Sequence, residues 1–69
     1  MKKELTAKQR HVLDFICRHI LDKGYPPAVR DIGARFGYTP KTSWDYLNTL
    51  EKKGYILVTK NISRGIKVL

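Results

Sequence analysis

Only one cysteine, Cys17, occurs in the 69 residues. No internal disulfide can form, and Cys17 lacks the His and Cys neighbours of a zinc site. It is expected to be a buried free thiol. Histidine is sparse too: His11 and His19 have no third ligand at a recognisable spacing, so they are expected at the surface and no metal or other cofactor is expected. The six carboxylates are scattered, and Ser43 and Ser63 have no His or Lys at a triad-like spacing. No enzyme is expected from such a set. No apolar run approaches the ~18 residues of a membrane-spanning helix, and no secretory signal opens the chain. Internal repeats, low-complexity tracts and linkers are also missing, and a soluble, cytoplasmic protein is the expectation.

What the chain has in excess is positive charge. Fourteen Lys and Arg against six Asp and Glu give a formal charge of +8. That predicts long-range attraction to a polyanion, with nucleic acid the first candidate and an anionic membrane surface the second. The length allows one domain with one small core, near the size where stability is marginal without a staple or partner.

Taken in order, Thr6-Ala7-Lys8-Gln9 has the spacing of a capping box and starts a helix over about 7–23. Val12, Leu13, Ile16, Cys17 and Ile20 recur at helical spacing, with Phe15 and Leu21 widening the stripe. Gly24-Tyr25-Pro26-Pro27 ends it, since glycine accepts a left-handed cap and two prolines cannot continue the ladder. A second helix over about 28–36 puts Val29, Ile32, Gly33 and Phe36 inside and Arg30, Asp31 and Arg35 outside. Gly33 costs ~1 kcal/mol against alanine in a helix, so close passage of the next helix is its expected reason. Gly37 offers a left-handed turn, with Tyr38 plugging the corner.

The third helix, about 40–53, is capped by Thr39 with Pro40 at its first position. At about 100° per residue, Ser43, Tyr46, Leu47 and Leu50 share one side. Lys41, Thr42, Asp45, Asn48, Thr49 and Lys52 share the other, a polar, short-chained face suited to touching another molecule. Lys52 and Lys53 complement the helix dipole before Gly54 turns left-handed. Strand formers then occupy 55–59 and 66–69, separated by a basic, turn-prone loop. The expected class is α+β: a helix-turn-helix made from three helices, followed by a two-stranded β-hairpin wing.

Several segments carry a resemblance: Leu5-Thr6-Ala7-Lys8-Gln9, Gly24-Tyr25-Pro26-Pro27, Arg30-Asp31-Ile32-Gly33, Leu47 and Leu50 with Glu51-Lys52-Lys53-Gly54-Tyr55-Ile56, and Ser63-Arg64-Gly65-Ile66. In this order and spacing the chain resembles the N-terminal DNA-binding domain of the LexA family, repressors of the bacterial SOS response to DNA damage. The resemblance covers all 69 residues and implies a winged helix-turn-helix fold. It also implies base contacts from the exposed N-terminal half of the third helix, here Thr39, Lys41, Thr42, Trp44 and Asp45. Trp44 lies at the boundary between faces, where it either reads a thymine methyl or pads the core edge. The chain departs from better-known members in a turn one residue shorter, in Ala28 where Ser or Thr is usual, and in Lys41, Trp44 and Asp45 themselves.

The mechanism expected from charge and shape puts the third helix in the major groove of an operator. Lys41 would donate to guanine, Asp45 would accept from cytosine, and the threonines would serve either role. Arg30, Arg35, Asn48, Lys52, Lys53 and the wing residues Lys60, Asn61, Ser63 and Arg64 would meet the phosphates. Family members continue through a hinge into a self-cleaving, dimerising protease domain that these residues do not include. The isolated chain is therefore expected to be a monomer or weak dimer that occupies a two-fold operator as two copies, without small-molecule ligand or membrane. Two alternatives stand beside this one: a winged-helix module docking an acidic protein partner, and a stand-alone small regulator without the protease half.

Overall fold

Thr6 begins the first helix by exchanging two hydrogen bonds with Gln9: its Oγ1 accepts the Gln9 amide at 3.2 Å, and Gln9 Oε1 accepts the Thr6 amide at 3.0 Å. The computed structural model describes residues 3–59, 62 and 64–69. Helix α1 runs Ala7–Lys23, α2 Val29–Phe36 and α3 Pro40–Lys52; strands β1, Ile56–Val58, and β2, Ile66–Val68, follow. Gly24, with φ at 81°, terminates α1 by donating its amide to the Ile20 carbonyl at 2.8 Å.

Helix α2 starts one residue later than expected, because Ala28 is extended, with ψ at 162°, and occupies the cap. Alanine has no side-chain acceptor. Asp31 supplies one in reverse, its Oδ2 accepting the Ala28 amide at 2.9 Å. That bond is the main cause holding the Asp31 carboxyl below its ordinary value of 3.8; partial desolvation opposes it, and the nearby Arg64 charge assists it.

The α2–α3 corner depends on Gly33. A Cβ there would stand 2.7 Å from the Tyr38 carbonyl oxygen and 3.4 Å from Ser43 Oγ. The next helix does pass close, but the tighter neighbour is the backbone of the turn. Thr39 then caps α3, its Oγ1 accepting the Thr42 amide at 3.2 Å. At the other end Gly54, with φ at 87°, donates to the Glu51 carbonyl, and the Tyr55 amide reaches back to Leu50. These two bonds satisfy carbonyls that the last turn would leave open.

The core is Val12, Ile16, Ile32, Leu47, Leu50 and Ile56, all fully buried, with Ile66 nearly so. All three helices and both strands contribute to it. Truncating Leu47 or Leu50 to alanine would cost ~3 kcal/mol, a large share of what so small a domain has. Two expectations for α1 need correction. Cys17 is half-buried rather than buried, and Leu21 is 83% exposed. The buried line of α1 centres on Val12 and Ile16, and both residues fall to its side.

The strands are antiparallel, pairing Ile56 with Val68, Leu57 with Lys67 and Val58 with Ile66. Each is shorter than expected, since only the paired residues form the ladder. Beyond it, the Thr59 amide donates to the Gly65 carbonyl at 2.7 Å. The outer edge of β1 is also occupied: Glu51 Oε2 accepts the Val58 amide at 3.0 Å. Three helices followed by this hairpin form a winged helix-turn-helix.

Candidate nucleic-acid interface

Helix α3 is divided lengthwise. Ser43, Leu47 and Leu50 are buried; Lys41, Asp45, Asn48 and Lys52 are exposed; Thr42, Trp44, Tyr46 and Thr49 lie between. At 1.5 Å per residue the helix is about 20 Å long, and its outer side is narrow enough for the ~12 Å width of a B-DNA major groove. The exposed groups offer a cationic donor at Lys41, a carboxylate acceptor at Asp45 and an amide at Asn48.

Hydroxyl directions limit what the threonines can do. Thr39 Oγ1 accepts the Thr42 amide and donates to Thr42 Oγ1 at 3.1 Å, which leaves the Thr42 hydrogen for an outside acceptor. Thr49 Oγ1 donates to the Asp45 carbonyl at 2.9 Å, so only its lone pairs remain. Trp44 lies at the boundary between the two faces. It packs against the core, and it lines a groove of about 480 Å³ with Ala28, Val29, Arg30 and Arg64.

On the other flank of α3, a groove of about 580 Å³ brings Asp45, Tyr46 and Thr49 against Thr6, Ala7, Lys8 and Gln9 of α1. Lys8 thus sits beside the outer face, a placement that helical periodicity within α1 could not reveal. Tyr46 stacks on Tyr38 with ring centroids 4.9 Å apart and planes 7° from parallel. The hydrogen bond between the two phenols, and then burial, push the Tyr38 hydroxyl above its ordinary value.

The candidate phosphate ligands fall into three groups. Arg30, Asn48 and Lys52 are exposed, Arg30 beside Trp44, and Asn48 and Lys52 on α3. Arg35, Lys53 and Arg64 are engaged within the protein. The Arg35 guanidinium lies 5.2 Å over the Phe36 ring and lines a separate groove with Phe15, Arg18 and His19 of α1. Lys53 Nζ donates to the Glu4 carbonyl at 2.9 Å and to Gln9 Oε1 at 2.7 Å. Arg64 Nη1 donates to the Pro26 carbonyl at 3.0 Å and forms an ion pair with Asp31 at 3.3 Å. The third group, Lys60, Asn61 and Ser63, lies outside the described residues.

Among the described residues no group of three His, Cys, Asp or Glu could hold a metal ion, and no helix is long and apolar enough to cross a membrane. His19 is half-buried, its Nδ1 2.9 Å from the Tyr25 carbonyl.

Comparison with known proteins converges with this geometry. The model of the LexA DNA binding domain family matches residues 2–65. A LexA repressor of Leptospira biflexa is 49% identical over 67 residues, covering 97% of this chain and 33% of the relative. That of Pseudothermotoga lettingae is 51% identical over all of this chain and 34% of its own. That of Thermotoga neapolitana is 50% identical over 66 residues, again 34% of its length. The chain therefore spans about a third of the length of these curated relatives. With a family match across almost the whole sequence and a winged helix whose third helix presents a polar outer face, the chain belongs to the LexA DNA-binding-domain family.

Proposed function

We propose that this chain binds duplex DNA sequence-specifically, as the DNA-reading part of a LexA-like repressor of DNA-damage genes. The observation that carries this is the division of α3: a fully buried inner line, and an outer line of exposed Lys41, Asp45 and Asn48. In the major groove Lys41 donates to guanine O6 or N7, Asp45 accepts from cytosine N4, and Thr42 donates its free hydroxyl hydrogen. Thr39 serves chiefly as the helix cap, close to the sugar-phosphate edge. Trp44 offers its outward edge to a thymine methyl while its other side packs on the core.

Phosphates on either side of the groove meet Arg30, Asn48, Lys52 and Lys8, with Lys60, Asn61 and Ser63 extending the contact through the wing. Arg35 and Lys53, held by internal partners, contribute long-range charge. A single domain of this kind buries on the order of 600–1,000 Å² on DNA. Tight operator binding therefore uses two copies, with recognition helices about 34 Å apart or a multiple of it.

Selection of bound sequences from a random duplex library tests this reading, repeated with Lys41→Ala and Asp45→Ala. Loss of preference at particular base positions supports direct readout by these residues. A uniform drop in affinity reassigns them to the backbone, and selection of no sequence at all defeats the proposal.

A further inference from the structure

Arg64 belongs to the wing, yet its guanidinium is directed at the other end of the fold. One nitrogen, Nη1, donates to the Pro26 carbonyl at 3.0 Å and to Asp31 Oδ2 at 3.3 Å. The same group lies 4.7 Å over the Tyr25 ring. Tyr25 is itself fixed: its ring meets His19 edge-on at 5.5 Å, and its carbonyl lies 2.9 Å from His19 Nδ1. Asp31 is fixed as well, because the Oδ2 that receives Arg64 also accepts the Ala28 amide. Three independent anchors on the α1–α2 turn and the start of α2 thus converge on one wing side chain.

We infer that Arg64 is a positioning residue, a strut from the hairpin loop just before β2 to the α1–α2 turn that sets where the wing stands relative to α3. The two-stranded ladder has only three paired positions, and an isolated hairpin of that size does not hold its own orientation. The Val58–Glu51 bond secures β1 to α3, and the Arg64 contacts secure the β2 side to the opposite flank of the Trp44 groove. A planar guanidinium can donate and stack simultaneously, whereas an ammonium donates but has no flat face to lay on a ring. The inference rests on the DNA-binding reading above for its consequence, but its geometry can be tested on the free protein.

Two sets of measurements separate the possibilities. In the free protein, NMR should find the Arg64 δ-methylene protons shifted upfield by the Tyr25 ring; Tyr25→Leu should abolish that shift and move the amides of Leu57, Val58 and Ile66. On a selected duplex, with every variant shown folded at the assay temperature, Arg64→Ala should weaken binding about tenfold, and Arg64→Lys nearly as much. Asp31→Asn should weaken it about threefold, and the double variant no more than Arg64→Ala alone. The sign at Asp31 is diagnostic, since deleting a negative charge near DNA would otherwise tighten binding. All these losses should vanish on a duplex trimmed to the base pairs under α3, a difference that general loss of folding would not produce.

The strut is overturned if Asp31→Asn leaves affinity unchanged or raises it. It is equally overturned if Arg64→Ala lowers the slope of log K against log salt by about one while the wing amides stay in place, the mark of a direct phosphate ligand. Failure to select any duplex would defeat the DNA reading alone. Absence of the upfield shift in the free protein would defeat the strut alone.

Discussion

Glu51 Oε2 accepts the Val58 amide at 3.0 Å, so the last turn of α3 is hydrogen-bonded directly to the first strand of the wing. The carboxylate takes the place of a third strand along the outer edge of β1. Replacing Glu51 with alanine leaves a partly buried amide without an acceptor, and the expected loss is about 1–2 kcal/mol of unfolding free energy. Urea titration gives the magnitude. Hydrogen exchange should localise it, with the Val58 amide exchanging much faster while α1 amides change only with global stability.

Ser43 and Gly33 face each other across the α2–α3 corner, and their substitutions should have opposite effects. Ser43 is fully buried, and its Oγ has no hydrogen-bond partner among the described residues. Ser43→Ala removes an unsatisfied hydroxyl and is expected to leave stability unchanged or raise it by up to ~1 kcal/mol. Gly33→Ala gains helix propensity but drives a methyl group to 2.7 Å from the Tyr38 carbonyl, so a net loss of about 1–2 kcal/mol is expected. Thermal unfolding of the two variants side by side settles the signs.

The depressed Asp31 carboxyl makes stability pH-dependent in a defined direction. As pH falls, the unfolded chain takes up this proton before the folded one does. The Asp31 contribution is therefore complete above the unfolded carboxyl value near ~4 and is lost as pH drops through the lower folded value. Asp31→Asn should be less stable than the parent at pH 7, and the gap should close in strongly acidic solution. A gap that widened on acidification would contradict the assignment.

Salt dependence measures how many cations reach phosphate. If each domain neutralises about five phosphates, log K falls against log salt with a slope near −4 to −5. Lys52→Ala should reduce the slope by about one without changing which sequence is preferred. Lys53→Ala should leave the slope nearly unaltered, because its ammonium is already committed to Glu4 and Gln9.

Local signals make most of the architecture legible in the sequence itself. Thr6 with Gln9, Gly24, Thr39 with Pro40, and Gly54 act within one helical turn of their own position, so their residue types announce their roles. The two sides of α3 followed from periodicity alone, although Thr42 and Thr49 proved half-buried where neighbouring elements approach. Partners distant in sequence were not legible. Nothing around Arg64 points to Pro26 and Asp31, nothing around Lys53 points to Glu4, and Lys8 gives no sign that it will lie beside Asp45. A cation's fate depends on which carbonyl or carboxylate the fold brings within reach, so a basic sequence predicts a polyanion partner better than it predicts the ligands.

Tyr55 has a further consequence for how this domain can be joined to other things. Its hydroxyl donates to the Lys3 carbonyl at 2.7 Å, and its own carbonyl accepts the Leu69 amide at 3.0 Å. Lys3 and Leu69 are thus neighbours, separated by little more than one tyrosine side chain. A fluorophore attached beside Lys3 or beside Leu69 would therefore be tethered at the same spot, on the foot of the hairpin rather than along α3.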